Sequence, residues 1–550
     1  MKKTLKQLRI PFVAILLFVG TVAFTPSERY FEIAKNLDIF ATLFKEVNTY
    51  YVDEVHPSGL IKTGIDAMLA SLDPYTNYIP EDEIEDYRTM TTGQYGGIGA
   101  VIGKRNEKTL VLMPYEGYPA NKAGLQIGDE ILEIDDLPVA DKSSGEVSKL
   151  LKGQANTTLN LKVKRYGVAQ PLNISITREK IKIDNVPYYG MVNNDVGYFR
   201  LSDFTSDASR EVKKAVTELK AKGAKKLIFD LRDNPGGLLS EAVNISNIFI
   251  EKDAEVVSTK GKVTEWNKTY RALNPSVDTD IPLVVLTSSR SASASEIVSG
   301  VIQDYDRGVL VGERTYGKGL VQATRPLTYN SQLKITTAKY YIPSGRCIQA
   351  IDYSHRDEDG SVSTIPDSLR VAFKTKNGRT VYDGGGILPD IEVEEREYSP
   401  ITMTLVNKGL LFDYATEYAS KHKTIASAKE FAISDQEYNE FVKWLTNKDY
   451  DYSTRVESNL KELEENAKKE KYFDGIKEQL SQLQTQISHD KNKDLQKNKD
   501  EIKEALEQEI VSRYYLQRGS VEASFDDDED ILAALDILNN PDKFAKLLSN

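Results

Sequence analysis

The sequence predicts a multidomain α/β protein, and three observations carry that prediction. Two β-branched apolar runs, at residues 283–286 and 309–311, are typical of buried strands, and a helical pattern lies between them at 294–303. Short strands and glycine turns between residues 92 and 183 indicate a separate β-rich domain. The last third of the chain is rich in Glu, Lys, Gln and Leu, which is typical of charged helices. A chain of 550 residues is long enough for several such domains.

The composition excludes two classes of protein. A net charge of −12 argues against nucleic acid as a partner, because binding phosphates needs concentrated positive charge. The single cysteine, Cys347, excludes an internal disulfide framework. It lies in a predicted strand-like segment without a histidine or acidic partner pattern, so we interpret it as a small packing residue.

Residues 1–24 resemble an export signal. Basic residues precede a short apolar run, and small residues follow it up to Ala23. The apolar run is short for a membrane-spanning helix, so it is either a cleaved signal peptide or an uncleaved anchor made of residues 10–24. In both cases the sequence predicts an exported protein, periplasmic or associated with the cell envelope.

Residues 27–90 carry apolar side chains at helical spacing, which predicts two or more amphipathic helices. We interpret this region as an N-terminal helical arm.

Residues 92–183 contain short strands separated by glycine turns. Gly124 and Gly128 flank the strand positions Ile131, Leu132 and Ile134, and this pattern resembles a PDZ domain. The resemblance implies that a glycine loop offers backbone N–H groups to a peptide carboxylate while the peptide adds as a strand. That loop consists of Gly96, Gly97, Ile98 and Gly99. The alternative interpretation is a glycine turn without a ligand.

A third region, residues 186–398, alternates strands with helices. A predicted strand at 226–232 leads through Asn234-Pro-Gly-Gly into a helix at 238–249, and the strand at 283–286 leads through a serine-rich turn into the helix at 294–303. We expect the two strand–turn–helix units to converge. Strands at 320–326 and 333–342 would complete a mixed sheet.

The serine-rich turn is the predicted place of a nucleophile. A serine between a strand and a helix exposes its hydroxyl, and the N–H groups at the helix start face any negative charge that develops there. Ser291, Ser293 and Ser295 all fit this description.

The chain offers one attractive base for such a serine. Lys318 lies between two glycines in Tyr-Gly-Lys-Gly, and burial there would lower its pKa and yield a neutral amine. None of the four histidines has a comparable setting; they are His56, His355, His422 and His489.

The sequence SASASE, followed by YGKG and a glutamine four residues after the lysine, resembles the carboxy-terminal processing (tail-specific) serine peptidases. The resemblance covers residues 30–398 and is most specific in DLRDNPGG, SASASE and GERTYGKGLVQ. It implies a crotonase-like α/β core with a PDZ domain inserted between the helical arm and the core.

The same resemblance implies residue roles. Ser293 would be the nucleophile, Lys318 its base, and Gln322 would orient the lysine. The oxyanion hole would use the N–H of Ala294 and that of Gly236 or Gly237, and the residues leave the choice of glycine open.

Residues 399–550 depart from a compact peptidase pattern. They predict charged helices, an acidic linker at 525–530 and a short terminal helix. We expect these helices to pack on the core or to form a homo-oligomer, in preference to recruiting an adaptor.

Together these patterns predict an exported serine endopeptidase that cleaves proteins selected by their C-terminal region through the PDZ domain. Protein or peptide substrates are its expected partners, and no metal or organic cofactor is implied. The alternative is a non-catalytic PDZ scaffold or ligand-binding protein on a peptidase-like core.

Overall fold

The structure is a computed structural model that describes residues 25–356, 361–394, 396–487 and 491–549. The predicted signal or anchor at 1–24 therefore lies outside the described residues, as does His489. Across the ranges described, no helix combines the length and apolar composition that crossing a bilayer requires. The described residues divide into two compact units, one up to residue 78 and one from residue 79 onwards.

The first unit contains two helices, α1 (Thr25–Tyr50) and α2 (Pro57–Ala70), and a short strand, β1 (Asn77–Ile79), begins at its end. Pro57 starts α2, where its missing N–H costs no hydrogen bond. Many apolar side chains of α1 are exposed, including Phe31 at 71% and Leu37 at 64%. This unit therefore buries little of its apolar surface by itself.

The second unit begins with a β-rich domain. Its helices and strands are α3 (Ile84–Thr92), β2 (Gln94–Gly97), β3 (Ala100–Arg105), β4 (Lys108–Pro114), α4 (Pro119–Lys122), β5 (Glu130–Ile134), β6 (Leu137–Pro138), α5 (Ser144–Leu151), β7 (Thr158–Lys164), β8 (Leu172–Thr177) and β9 (Glu179–Lys182). Strands β3, β4, β5, β7 and β8 form one antiparallel sheet in that order, while β2 pairs with β9. Buried aliphatic residues such as Val111, Ile131 and Leu159 form the core of this domain.

The central domain is a mixed α/β structure, as the sequence predicts. Its helices and strands are β10 (Tyr188–Met191), β11 (Val196–Arg200), α6 (Ala208–Ala221), β12 (Lys226–Asp230), α7 (Leu239–Phe249), β13 (Glu255–Gly261), β14 (Lys268–Arg271), β15 (Leu283–Thr287), α8 (Ala294–Asp304), β16 (Val309–Gly312), β17 (Leu320–Pro326), β18 (Gln332–Tyr341), β19 (Ala372–Lys374), β20 (Thr380–Tyr382) and β21 (Ile391–Glu392). The main sheet has the order β10-β11-β12-β15-β16-β21, in which only β10 is antiparallel to its neighbour. Every residue of β15 is buried, which explains its continuous apolar sequence. Cys347 lies in an irregular segment after β18, so the predicted strand-like setting is wrong.

The remaining residues form a helical domain. Its helices are α9 (Pro400–Asn407), α10 (Leu410–Lys421), α11 (Asp435–Leu445), α12 (Arg455–Lys469), α13 (Phe473–Ile487), α14 (Lys491–Lys497), α15 (Lys499–Ala523), α16 (Glu529–Leu538) and α17 (Pro541–Ser549). Tyr438, Phe441 and Leu506 are among the residues of its own apolar core.

The two faces of the main sheet are covered by different parts of the chain. Helices α6, α7 and α8 bury one face, in a core that includes Phe199, Phe229 and Val285. The other face, which includes Ile228 and Val284, packs against Phe525 and against α16. The acidic run at 525–530 joins α15 to α16, as the predicted linker, and its Phe525 is packed on the central domain.

Candidate active site

The two predicted strand–turn–helix units lie side by side, because β12 and β15 are adjacent parallel strands. Several hydrogen bonds join their turns, and three of them are accepted by backbone carbonyls. The N–H of Ala292 donates to the carbonyl of Asn234 at 3.0 Å, and the Ser295 hydroxyl donates to the same carbonyl at 2.9 Å. The Ser291 hydroxyl donates to the carbonyl of Leu231 at 2.8 Å. The expected convergence of SASASE and DLRDNPGG is therefore observed.

These bonds separate the three candidate serines. Ser291 and Ser295 are fully buried, and their hydroxyls are engaged with the opposite turn. Ser293 is partly exposed. Ser293 is thus the one of these three serines whose side chain a substrate can approach.

The backbone of Ser293 has an unusual conformation, with φ 56° and ψ −109°. A non-glycine residue in a sparsely populated region costs about 1–3 kcal/mol and persists only where its surroundings hold it. Here the N–H of Ser293 donates to Glu296 Oε2 at 2.8 Å. Its carbonyl accepts from the N–H of Ile297 at 3.0 Å and from the Tyr340 hydroxyl at 3.1 Å. These contacts hold Ser293 at the sharp turn before α8.

Glu296 connects the serine turn to the lysine loop. Its side chain is fully buried, and Oε2 accepts from the N–H groups of Ser293 and Lys318, each at 2.8 Å. Oε1 accepts from the Thr315 hydroxyl at 2.6 Å and from the N–H of Gly317 at 2.7 Å. One carboxylate therefore fixes the backbone at both the predicted nucleophile and the predicted base.

Sequence reasoning missed Glu296, although a signal was present. It is the last residue of SASASE and stands three positions after Ser293, where a glutamate commonly caps a helix start. Burial raises the pKa of Glu296 to about 7, and hydrogen bonds from Thr315, Lys318, Ser293 and Gly317 oppose that rise. Four donors around one carboxyl group suit the ionised form.

Lys318 is partly buried, and the glycines beside it allow a neighbouring segment to approach closely. Gly317 has φ +84°, and a Cβ there would lie 2.4 Å from Ala350 Cβ. A Cβ on Gly319 would lie 2.8 Å from the backbone nitrogen of Gln349, whose Oε1 accepts the N–H of Gly319 at 2.7 Å. The Gly-Lys-Gly sequence is thus required by packing around the lysine backbone.

Gln322 lies on β17, opposite Thr336 of β18, beside an irregularity in the strand register. Its Nε2 donates to the Thr336 hydroxyl at 3.2 Å. This bond fixes the glutamine amide four residues after Lys318.

The two candidate oxyanion glycines differ. Gly236 donates its N–H to Asn234 Oδ1 at 2.9 Å, and a Cβ on Gly236 would lie 2.9 Å from Ser293 Cβ. Within the described ranges, no protein acceptor takes the N–H of Gly237 or that of Ala294. The structure therefore leaves the Gly237 and Ala294 donors available and engages that of Gly236.

The predicted peptide-binding loop is shorter than the sequence suggested. Gly96 and Gly97 belong to β2 and pair with β9, so the prediction that they form a loop is wrong. Bonded and non-bonded residue pairs alternate along an antiparallel ladder. The N–H of Ile183 donates to the carbonyl of Gly93, so Gly97, four residues after Gly93, also belongs to a hydrogen-bonded pair with β9. The loop proper is Ile98 and Gly99, whose N–H groups have no protein acceptor in the described part of the chain.

In the residues the structure describes, no group of three or more His, Cys, Asp or Glu side chains could hold a metal ion. His355 is exposed and contacts Asp352, and His422 stacks on Tyr418.

Comparison with known proteins agrees with this architecture. Family models match residues 195–355 as peptidase family S41, 111–165 as a PDZ domain, and 401–538 as the C-terminal helical domain of a probable PDZ-protease. A carboxy-terminal-processing protease of Bartonella bacilliformis is 37% identical over 321 residues, which are 58% of this chain and 73% of that protein. A probable CtpA-like serine protease of Staphylococcus aureus is 37% identical over 375 residues, covering 63% of this chain and 74% of the relative.

A solved structure titled photosystem II D1 C-terminal processing protease is 27% identical and covers 64% of this chain and 92% of its own. Its TM-score is 0.36.

Proposed function

The chain belongs to the S41 family of carboxy-terminal processing serine peptidases, and on that premise we propose that Ser293 and Lys318 perform its peptide-bond hydrolysis. The observation that carries this assignment is the shared carboxylate. Glu296 Oε2 accepts from the N–H of Ser293 and from that of Lys318. This contact brings the backbones of the proposed nucleophile and the proposed base to one buried atom.

The proposed reaction is acyl transfer. The neutral Lys318 amine takes the proton of the Ser293 hydroxyl as Oγ attacks the peptide carbonyl, and Gln322 orients the lysine. The protonated lysine then gives that proton to the leaving amine, and the acyl-enzyme forms. A water molecule, deprotonated by the same amine, hydrolyses the ester and restores the Ser293 hydroxyl. An unperturbed lysine has a pKa of about 10.4, so this role needs a pocket that lowers the pKa of Lys318.

The oxyanion would be held by the N–H groups of Ala294 and Gly237. Both donors lack a protein acceptor in the described residues, whereas Gly236 already donates to Asn234 Oδ1. An amide engaged in a 2.9 Å hydrogen bond would have to break it before binding an oxyanion. This argument supports Gly237 over Gly236.

Several broader features belong to the same proposal. We place the helical region at 27–90, the PDZ domain at 92–183, a crotonase-like peptidase core at 186–398 and the helical extension at 399–550. Export to the periplasm or cell envelope rests on residues 1–24, which are either cleaved or kept as a tether. Self-association through the C-terminal helices remains a prediction.

Site-directed substitution tests the catalytic assignment. Ser293→Ala and Lys318→Ala should each abolish cleavage of a loosely folded protein and leave the melting temperature near that of the wild type, while Gln322→Ala should slow cleavage less severely. An active-site-directed fluorophosphonate should label Ser293 in the wild type only. Full activity in Ser293→Ala would overturn the assignment, and an unlabelled, inactive wild type would favour a non-catalytic scaffold.

We also propose that the PDZ domain selects substrates by their free C-termini. The N–H groups of Ile98 and Gly99 would bind the carboxylate, and amidation would place a nitrogen donor opposite them. An unpaired buried donor costs about 1–3 kcal/mol, or roughly ten- to a hundredfold in affinity.

This second proposal is tested with one substrate in free and amidated forms. Gly99→Ala should remove the preference for the free form, because the new Cβ would lie 2.6 Å from Tyr118 Cβ. Gly117→Ala is the control, since Gly117 has a similar positive φ and open space around it. Equal cleavage of both substrates by the wild type would exclude carboxylate capture.

A further inference from the structure

The acidic run after α15 reaches the strand that leads to the oxyanion turn. Arg232, in DLRDNPGG, donates from Nη1 to Asp528 Oδ1 and to Asp530 Oδ2, each at 2.8 Å. Its Nη2 donates to Asp230 Oδ2 at 2.7 Å. One guanidinium thus joins the end of β12 to two residues from the last 23 positions of the chain.

These contacts are shielded from solvent. The side chains of Arg232, Asp528 and Asp530 are 16%, 17% and 19% exposed. Both acceptors of Nη1 come from the C-terminal segment, so removing them leaves this nitrogen of a mostly buried guanidinium without an acceptor, while Nε and Nη2 stay paired with Asp230. Breaking such a pair from one side is far more costly than losing an exposed ion pair.

The bonds around Asp230 continue into the turn. The N–H of Arg232 donates to Asp230 Oδ1 at 2.8 Å, and the Tyr198 hydroxyl donates to Asp230 Oδ2 at 2.6 Å. The backbone then passes through Asn234, which donates to the carbonyl of Leu201 at 2.7 Å, and reaches Gly236 and Gly237. Arg232 and Gly237 thus lie five residues apart in one segment, whose backbone is held at Asp230 and at Asn234.

Helix α16 adds an apolar anchor to the same contact. Asp528 is its N-cap and accepts from the N–H of Ile531 at 3.1 Å. Ile531 and Ile537 are buried against the second face of the main sheet. The carboxylates are thus delivered to Arg232 by a helix that is fixed on the sheet.

We propose that Asp528 and Asp530 are positioning residues for peptide hydrolysis, which hold Arg232 and thereby fix the turn that carries the Gly237 N–H. This inference rests on the proposed function and extends it, because it makes the C-terminal segment part of the catalytic apparatus. The two aspartates do not touch the substrate, and they act through Arg232.

The test is the double variant Asp528→Asn, Asp530→Asn. Asparagine keeps the size and the helix-capping ability of residue 528, so α16 should remain folded. The control is Asp526→Asn, Asp527→Asn, which removes two charges from exposed residues of the same run. Peptide hydrolysis and backbone hydrogen exchange over residues 230–238 are measured for both variants.

We expect kcat to fall about ten- to a hundredfold with KM changed less than about twofold, since losing one oxyanion donor costs about a hundred- to a thousandfold in kcat. Hydrogen exchange at 230–238 should rise in the test variant and not in the control. The single variant Asp530→Glu retains the charge, so it should keep more of the wild-type kcat than Asp530→Asn does. Wild-type kcat with unchanged exchange in the test variant would overturn the proposal.

If the double variant does not fold, Asp530→Asn alone, which leaves the Asp528 cap intact, is measured in the same way and decides the question. If the wild type neither cleaves peptides nor labels at Ser293, the proposed function is wrong. The exchange at 230–238 then still reports whether the two aspartates fix the turn.

Discussion

The two strand–turn–helix units at the site have similar topology but are held by different forces. The turn after β15 is fixed by hydrogen bonds within the central domain, which Ser291, Ser295 and Tyr340 donate and Glu296 accepts. The turn after β12 is surrounded by ion pairs, and two of its carboxylates lie almost 300 residues further along the chain. The serine turn is therefore secured locally, whereas the glycine turn also depends on a remote segment.

This difference has a physical consequence. A buried hydrogen bond whose donor is removed leaves an acceptor unsatisfied at that point only. A buried ion pair that loses one side leaves a charge, which disturbs every group around it. Substitutions at the two turns should thus differ in which property they affect and in how far the effect spreads.

The largest effect is expected at the buried carboxylate that holds the serine turn, Glu296. Glu296→Gln keeps the shape of the side chain but replaces one carboxylate oxygen with an NH₂ group. That group would face the N–H and O–H donors that bind the carboxylate, so both Ser293 and Lys318 should shift. We expect kcat to fall by about a hundredfold or more, because misplacing a reacting group by about 1 Å can cost that much. Exposed Glu251→Gln is the control. A loss below threefold in steady-state assays would show that the serine turn does not need this carboxylate.

Close packing between the turns gives the next effect. A Cβ on Gly236 would lie 2.6 Å from the carbonyl oxygen of Ala292 and 2.8 Å from the nitrogen of Ala294. Gly236→Ala should therefore displace both turns and reduce kcat about ten- to a hundredfold. Gly223→Ala is a matched control, since Gly223 has φ +100° and open space around it. It should lower stability and leave kcat per folded molecule unchanged, and equal kcat values for the two variants would contradict the close contact.

A smaller effect is expected at the serines that join the turns. Ser291→Ala and Ser295→Ala each remove one buried hydrogen bond between the turns, which costs about 0.5–1.5 kcal/mol of unfolding free energy. Their kcat should fall less than about tenfold, because Ser293 keeps its own backbone contacts. Exposed Ser289→Ala should change neither quantity. Denaturant unfolding and peptide assays measure both, and loss of all activity in Ser295→Ala with the fold intact would reopen the choice of nucleophile.

The smallest effect is a dependence of stability on pH. Burial raises the pKa of Glu296 to about 7 in the folded protein, from 4.5 in the unfolded chain. A raised carboxyl pKa contributes stability that is fully present below pH 4.5 and is lost as pH rises through 7. The unfolding free energy of the wild type minus that of Glu296→Gln should therefore fall between pH 4.5 and 8. Activity should rise over this range, because the ionised carboxylate holds the site. A difference in unfolding free energy that does not change with pH would contradict the raised pKa of Glu296.

Local sequence predicted most elements of the central domain. The continuous apolar run of β15 and the helical pattern after it were sufficient, because a fully buried strand and the helix that follows differ in periodicity. The motif resemblance also identified the peptidase family that the comparisons support. It left Gly236 and Gly237 equivalent, since two adjacent glycines have the same local chemistry.

The sequence by itself determined the family, the order of the domains and the short segments that hold the candidate site, because these depend on residue type and spacing along the chain. Only the tertiary structure decided that Glu296 joins the serine turn to the lysine loop, that Gly96 and Gly97 are strand residues, and that Asp528 and Asp530 hold Arg232. A hydrogen bond or an ion pair needs two partners within about 3 Å, and distance along the sequence carries no information on that separation. Residues 232 and 530 meet because α16 covers the second face of the sheet, and burial of its apolar side chains brings the acidic residues at its start to the arginine.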